Sequence, residues 1–89
     1  MYSLEYSNQF KKDFKKITKM PIQDILEVGN IISKLQRGEV LDPKNVDHSL
    51  TGNWADFRDC HIKPDLVLIY RTTGDTLQLA RIGSHSDLF

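Results

Sequence analysis

Apolar and polar residues alternate over the first six positions of the chain, and the pattern then changes to a helical period. An apolar or aromatic side chain occupies every second position from Tyr2 to Tyr6, which is typical of a short half-buried strand. Phe10, Phe14 and Ile17 then recur at intervals of four and three residues, which predicts an amphipathic helix. We therefore expect the chain to begin with a strand followed by a helix.

A second helical repeat follows a proline. Apolar residues recur at helical spacing from Ile22 to Leu35, with Pro21 suited to the first helical turn and Gly38 to the end of the helix. Ser7 is placed to cap the preceding helix. These signals together predict a hairpin of two helices.

The second half of the chain predicts a long loop followed by three strands. Residues 39–53 contain Asp-Pro, Asp-His and Thr-Gly-Asn, which are signals of an irregular loop. Three strand-like segments follow, Trp54–Ile62, Leu66–Tyr70 and Thr76–Gly83, and short turns separate them. Short turns favour antiparallel neighbours. The predicted architecture is one α+β domain, residues 1–89, of order β-α-α-β-β-β, with the helix hairpin packed on one face of a small antiparallel sheet.

The composition is that of an ordinary globular domain: 39% of the 89 residues are hydrophobic and 27% are charged. The single cysteine, Cys60, cannot form an internal disulfide and is expected to be a buried apolar residue. No apolar run is long enough to span a membrane, and the N-terminal segment MYSLEYSNQF lacks the features of a signal peptide. We therefore expect a cytoplasmic protein without a membrane partner.

The formal net charge is zero, with twelve basic and twelve acidic residues, but the charge is unevenly distributed. Five lysines surround the single acid Asp13 in the first predicted helix and just after it. Taken alone, such a segment is the solvated face of an amphipathic helix, and it indicates RNA binding only if the protein has an RNA site. The lysines are Lys11, Lys12, Lys15, Lys16 and Lys19.

The three histidines of the chain all lie in its second half. His48 lies in the long loop, His61 ends a predicted strand, and His85 follows the last strand. Asp65 comes four residues after His61, across the turn between two strands. Antiparallel order brings His61, Asp65 and His85 to the same edge of the sheet, whereas His48 joins them only if the loop folds over.

Strand alternation is expected to put Arg81, Gly83 and His85 on one face of the sheet, where the glycine would leave room for a ligand. Histidines, a carboxylate and an arginine suit RNA cleavage without a metal. Such cleavage needs a base for the 2′-hydroxyl, an acid for the leaving 5′-oxygen and a cation for the phosphate. We therefore predict no metal and no other cofactor.

Two other interpretations of these residues stand beside the catalytic one. In the first, each histidine has a purely structural role at the surface or at a helix end. In the second, the three histidines and the aspartate bind zinc, although their spacing is unlike that of compact zinc motifs. Trp54, Phe57 and Tyr70 are expected to belong to the core rather than to stack on bases.

The stretch DHSLTGNWADFRDCHIKPDLVLIY, from Asp47 to Tyr70, followed by RIGSHSDLF, resembles the YafQ branch of the RelE/ParE superfamily of bacterial toxin–antitoxin systems. The resemblance covers the whole chain. It implies a RelE-like, microbial-RNase-like fold and a toxin that cuts mRNA in the ribosomal A site. It also implies a co-expressed antitoxin that holds the toxin inactive and is the toxin's only link to operator DNA.

The resemblance assigns catalytic roles to five residues, with His85 as general acid and His61 or Asp65, together with His48, as the base. Phe89 would stack on or pack against a nucleotide, and Arg81, with Arg58 as a secondary candidate, would contact phosphate. The lysine-rich segment would bind ribosomal RNA. Leu66 departs from the pattern, because the branch often has an aromatic residue there. The five residues are His48, His61, Asp65, His85 and Phe89.

Two other functions remain open at this point. A ParE-like toxin shares the fold, acts on DNA gyrase and lacks this set of acid–base groups, so the histidines favour the ribonuclease. The other alternative is a binding module without enzymatic activity, which works only with its antitoxin, for example as a co-repressor.

Overall fold

The computed structural model describes all 89 residues. Strand β1 spans Ser3–Tyr6, and helices α1 and α2 span Asn8–Ile17 and Ile22–Gln36. Strands β2, β3, β4 and β5 span His48–Ser49, Arg58–Lys63, Leu66–Thr73 and Thr76–Gly83, and a short helix, α3, spans His85–Leu88. The α+β class and the predicted order of the first strand and the helix hairpin are confirmed.

Local signals explain where the helices begin and end. The Ser7 side chain accepts a hydrogen bond from the backbone N–H of Phe10 and caps α1. Pro21 stands just before α2, one position earlier than predicted, and Gly38 follows the helix with a φ of +75°, which a glycine adopts without strain. The helix hairpin therefore forms where its sequence signals place it.

The five strands form one sheet in the order β1-β5-β4-β3-β2. The hairpins β3–β4 and β4–β5 are antiparallel, as predicted. The expectation of a purely antiparallel sheet is wrong, because β1 pairs with β5 in parallel. The helix hairpin separates β1 from the other strands in sequence, so the chain can return in either direction.

The region between α2 and β3 is more ordered than the loop predicted for it. Pro43–Asn45 forms a 3-10 turn, and the two-residue strand β2 pairs with β3. The predicted strand from Trp54 to Ile62 begins four residues later, at Arg58, because Gly52–Trp54 forms another 3-10 turn. Because β2 is the last strand in the sheet order, His48 lies on an edge strand.

The two faces of the sheet bury different amounts of apolar surface. The main core lies between the sheet and the helix hairpin and includes Val28 and Ile31 of α2 with Leu68 of β4. Three buried residues on the opposite face, Val67, Ile69 and Leu88, form a smaller cluster. Tyr70 and Cys60 are buried in the main core, whereas Trp54 and Phe57 are only partly buried beside the small cluster.

No helix of the structure combines the length and the apolar composition that crossing a bilayer requires.

Candidate active site

Two histidine rings meet at the end of the sheet, on the face opposite the helix hairpin. His61 pairs with Val67 across β3 and β4, and the His61 and His85 ring centroids are 4.9 Å apart. Asp65, on the turn between these strands, contacts His85 twice: its Oδ1 lies 3.1 Å from the backbone nitrogen and 3.0 Å from Nδ1. The predicted convergence of these three residues is confirmed.

These contacts define the chemistry of the His85 ring. Because Asp65 offers an acceptor to Nδ1, this nitrogen carries the proton, and Nε2 is the ring atom left for a substrate. The hydrogen bonds from His85, the backbone N–H first, hold the pKa of the Asp65 carboxyl below its ordinary value. Asp65 therefore stays charged and orients the ring.

His48 reaches the same face through β2. It pairs with Asp59 of β3, and its Nδ1 lies 2.8 Å from the Val46 carbonyl oxygen and 3.0 Å from Oδ1 of Asp59. Both neighbours are acceptors, so Nδ1 carries a proton and Nε2 is the ring nitrogen that faces no protein acceptor. The loop thus brings a third imidazole to the same face of the sheet.

Asp59 is a candidate site residue that the sequence reasoning missed. It is 3% exposed, and its Oδ1 accepts no hydrogen bond, since the His48 proton is directed to Val46. Burial raises its pKa above the ordinary value, although the charges of His48, His61 and His85 act in the opposite direction. Asp59 pairs with His48 across β2 and β3 and precedes His61 by two residues on β3, so the three side chains lie on one face of the sheet. Asp59 and His61 are two residues apart on one strand and so share a face, and this spacing could have identified Asp59 from the sequence.

Arg81 is placed differently from the prediction. Its Nε and Nη2 donate to the buried carboxylate of Asp13 in α1, at 2.8 and 3.1 Å. Strand alternation does not extend to His85, because β5 ends at Gly83 and His85 begins α3, and the Arg81 side chain is bound to Asp13 rather than left free for a ligand. Binding of phosphate by Arg81 stays a prediction. It would use the guanidinium N–H groups that do not donate to Asp13.

Asp13 is more than an isolated acid on a solvated helix. Burial acts to raise its pKa, but hydrogen bonds from Arg81, Gln9 and the backbone N–H of Ile82 outweigh burial and hold the pKa low. The carboxylate thereby ties α1 to the last strand. The space at Gly83 is also used by the protein itself, since a Cβ there would lie 3.4 Å from the Asp87 side chain of α3.

Arg58 is likewise held by protein groups. Its Nε donates to Oδ1 of Asp47 at 3.1 Å and its Nη1 to the Ser49 hydroxyl at 2.9 Å. The Tyr70 hydroxyl donates to the same Asp47 oxygen at 2.7 Å. These bonds fix the residues on both sides of His48, so Arg58 positions the loop, while its predicted contact with phosphate remains untested.

The remaining predicted residues are exposed. Phe89 is 59% exposed, and its ring centroid lies 6.4 Å from that of His85. The five lysines on and after α1 are also exposed, as the solvated face requires. These positions are Lys11, Lys12, Lys15, Lys16 and Lys19.

Two further features bear on the chemistry. No group of three or more histidine, cysteine or acidic side chains is arranged to hold a metal ion. Cys60 is fully buried, and burial raises its thiol pKa to about 12, so it supplies no thiolate near neutral pH.

The sequence profile of YafQ, a bacterial toxin of type II toxin–antitoxin systems, matches residues 2–89. The chain belongs to the YafQ toxin family. The mRNA interferase toxin YafQ of Escherichia coli strain K12 is 36% identical over 87 residues, which cover 97% of this chain and 94% of that relative.

Solved structures agree with this assignment. A copper-bound mutant toxin from Helicobacter pylori is 42% identical, with a TM-score of 0.89 and complete coverage of both chains. The toxin of the Escherichia coli DinJ–YafQ toxin–antitoxin complex is 33% identical, with a TM-score of 0.85, and the match covers 99% of this chain and 97% of that one. The YafQ fold and the predicted resemblance are thereby confirmed.

Proposed function

We propose that this YafQ-family toxin is an endoribonuclease that cleaves mRNA in the A site of the translating ribosome and so inhibits translation. The observation that carries the proposal is the pair of His61 and His85 rings, 4.9 Å apart, with Asp65 bound to one of them. Two converging imidazoles can supply both a base and an acid near neutral pH. The name of the Escherichia coli relative, an mRNA interferase toxin, supports RNA as the substrate.

The proposed reaction is an internal transfer of the phosphodiester. The 2′-oxygen attacks phosphorus and forms a new O2′–P bond, while the bond between phosphorus and the 5′-oxygen breaks. His48 or His61 takes the 2′-hydroxyl proton, and His85, protonated at Nε2, gives a proton to the leaving 5′-oxygen. The products are a 2′,3′-cyclic phosphate and a 5′-hydroxyl.

Other residues of the site assist these three. Asp65 and Asp59 lie beside Nδ1 of His85 and His48, which leaves each Nε2 to the substrate. Phe89 is placed to stack on a base next to the scissile bond, a contact that is tolerant of base identity. The N–H groups of Arg81 and Arg58 that the protein leaves free would neutralise phosphate charge.

Cleavage of a defined mRNA by the purified toxin tests the proposal. We expect cuts on programmed ribosomes that persist in EDTA, end in a cyclic phosphate and disappear in His85→Ala. Because the Helicobacter pylori relative was crystallised with copper, the EDTA condition also tests a metal-dependent alternative. Absence of cutting with and without ribosomes would refute the nuclease assignment and favour a toxin with another target.

The lysine-rich segment on and after α1 is proposed to bind ribosomal RNA. Its exposed ammonium groups form a basic face on a chain of zero net charge, so phosphate attraction can be local. We expect a variant with Lys11, Lys15 and Lys19 changed to Glu to bind ribosomes more weakly and with less dependence on salt. Unchanged ribosome affinity in that variant would show that this face is only solvated.

A cognate antitoxin is the proposed protein partner, supported by the DinJ–YafQ complex. Operator DNA would be contacted only through the antitoxin. We expect a short reading frame beside this gene whose product restores growth when both proteins are expressed. A toxin that is not neutralised by such a product would contradict this assignment.

A further inference from the structure

A cavity separate from the histidine rings lies between α1 and the end of the sheet. Its volume is about 340 Å³, at the lower end of the roughly 300–1,000 Å³ range of ligand pockets. Apolar side chains from α1, from the segment that follows it and from two strands contribute to its lining. They are Ile17, Met20, Leu66 and Ile82.

Some charged side chains around this cavity have partners within the protein, and others have none. Asp13 is neutralised by Arg81, and Asp65 is held by His85. Lys12 and Lys16, one helical turn apart, make no ion pair, and their only free acidic counterpart is Asp87. These two ammonium groups are therefore cations of the lining that no protein carboxylate holds, in a place where α1 otherwise packs on the sheet.

The cavity adjoins the catalytic groups. Asp65, which orients His85, and Ser84, which caps α3, both line it. A strand of RNA with its scissile phosphate at His61 and His85 would carry its neighbouring nucleotide past Asp65 toward this cavity. An apolar lining beside free cations suits such a nucleotide, which has an apolar base face and a charged phosphate.

We propose that this cavity binds the mRNA nucleotide adjoining the scissile bond, with its phosphate on Lys12 and Lys16 and its base against the apolar lining. The proposal rests on the proposed function, because it requires RNA as the substrate. It assigns Lys12 and Lys16, which line the cavity, to the message, and leaves Lys11, Lys15 and Lys19, which do not line it, as the proposed contacts to ribosomal RNA.

A coupling experiment tests this assignment. Messages with one uncharged methylphosphonate linkage, placed at each position around the cleaved bond in turn, are loaded on programmed ribosomes. The single-turnover cleavage rate is then measured for the wild type and for the double variant Lys12→Ala/Lys16→Ala. A matched double variant, Lys34→Ala/Arg37→Ala, loses the same charge near the end of α2, away from the cavity.

We expect one linkage beside the scissile one whose neutralisation slows the wild type about tenfold, as for the loss of a charge-assisted phosphate contact. The same linkage should not slow Lys12→Ala/Lys16→Ala further, because the contact is already absent. The Lys34→Ala/Arg37→Ala variant should respond to the linkage as the wild type does.

Three results would overturn the proposal in distinguishable ways. If the uncharged linkage slows the Lys12→Ala/Lys16→Ala variant by the same factor as the wild type, these lysines act elsewhere, for example on ribosomal RNA. No sensitive linkage in the wild type would show that the cavity holds no phosphate. If the wild type cuts none of the unmodified messages, the proposed function itself fails and this subsite with it.

Discussion

Two histidine–carboxylate pairs in this site have the same distance and different surroundings. In each pair, Nδ1 of the histidine lies 3.0 Å from Oδ1 of the aspartate. Asp65 is exposed and accepts hydrogen bonds from His85, which lower its pKa. Asp59 is buried without a hydrogen bond to Oδ1, and burial raises its pKa. Equal distances therefore produce opposite electrostatic results.

The two aspartates therefore suit different roles: Asp65 orients an imidazole, and Asp59 responds to the protonation of the imidazoles near it. A carboxylate with a lowered pKa stays ionised and holds an imidazole in one tautomer across a wide pH range. A buried carboxylate with a raised pKa is destabilised when it is charged, and it responds when nearby imidazoles gain or lose protons. Sites in which the environment shifts the pKa values of two similar groups in opposite directions are typical of acid–base catalysis. On this comparison, the His85–Asp65 pair would belong to the acid and the His48–Asp59 pair to the base.

The largest expected effect comes from removing the acid. His85→Gln should lower the cleavage rate on programmed ribosomes by at least about 100-fold, because no other group replaces its proton donor. His48→Gln should cost only about tenfold, since His61 remains as a second proton acceptor. Equal losses in the two variants, with melting temperatures like that of the wild type, would break the proposed division between acid and base.

The next effect tests orientation. Asp65→Asn leaves the ring of His85 but replaces its charged acceptor with an amide, which can also present an N–H to Nδ1 and so favour the wrong tautomer. We expect the rate constant at saturating toxin to fall about tenfold while ribosome affinity is unchanged. A change in affinity alone would mean that Asp65 holds the turn rather than the imidazole.

The sequence accounts for one pair better than for the other, for physical reasons. His61, Asp65 and His85 converge because short turns force neighbouring strands to be antiparallel, and turn signals can be read locally. Asp59 was missed because its burial depends on β2, a two-residue strand that has no periodicity to detect. The engagement of Arg81 was missed because Asp13 lies among lysines, and a contact 68 residues away leaves no local pattern.

The smallest expected effect is on stability, and its sign differs between the two aspartates. The folded-state pKa of Asp59 is raised, so its contribution to stability is present below the unfolded pKa and is lost as pH rises through the folded value. Asn does not titrate. The melting temperature of Asp59→Asn minus that of the wild type should therefore increase between pH 3.5 and pH 7, by a few degrees.

Asp65→Asn is the matched control for this measurement. The folded-state pKa of Asp65 is lowered, so its contribution is present above the unfolded pKa and is lost as pH falls through the folded value. Its difference from the wild type should change in the opposite direction over the same pH range, and only slightly, since exposed pairs contribute little. If the difference in melting temperature between Asp59→Asn and the wild type does not change with pH, burial does not destabilise the charged form of this carboxylate. A rising difference together with slower cleavage would show that the site retains a destabilising charge because the reaction uses it.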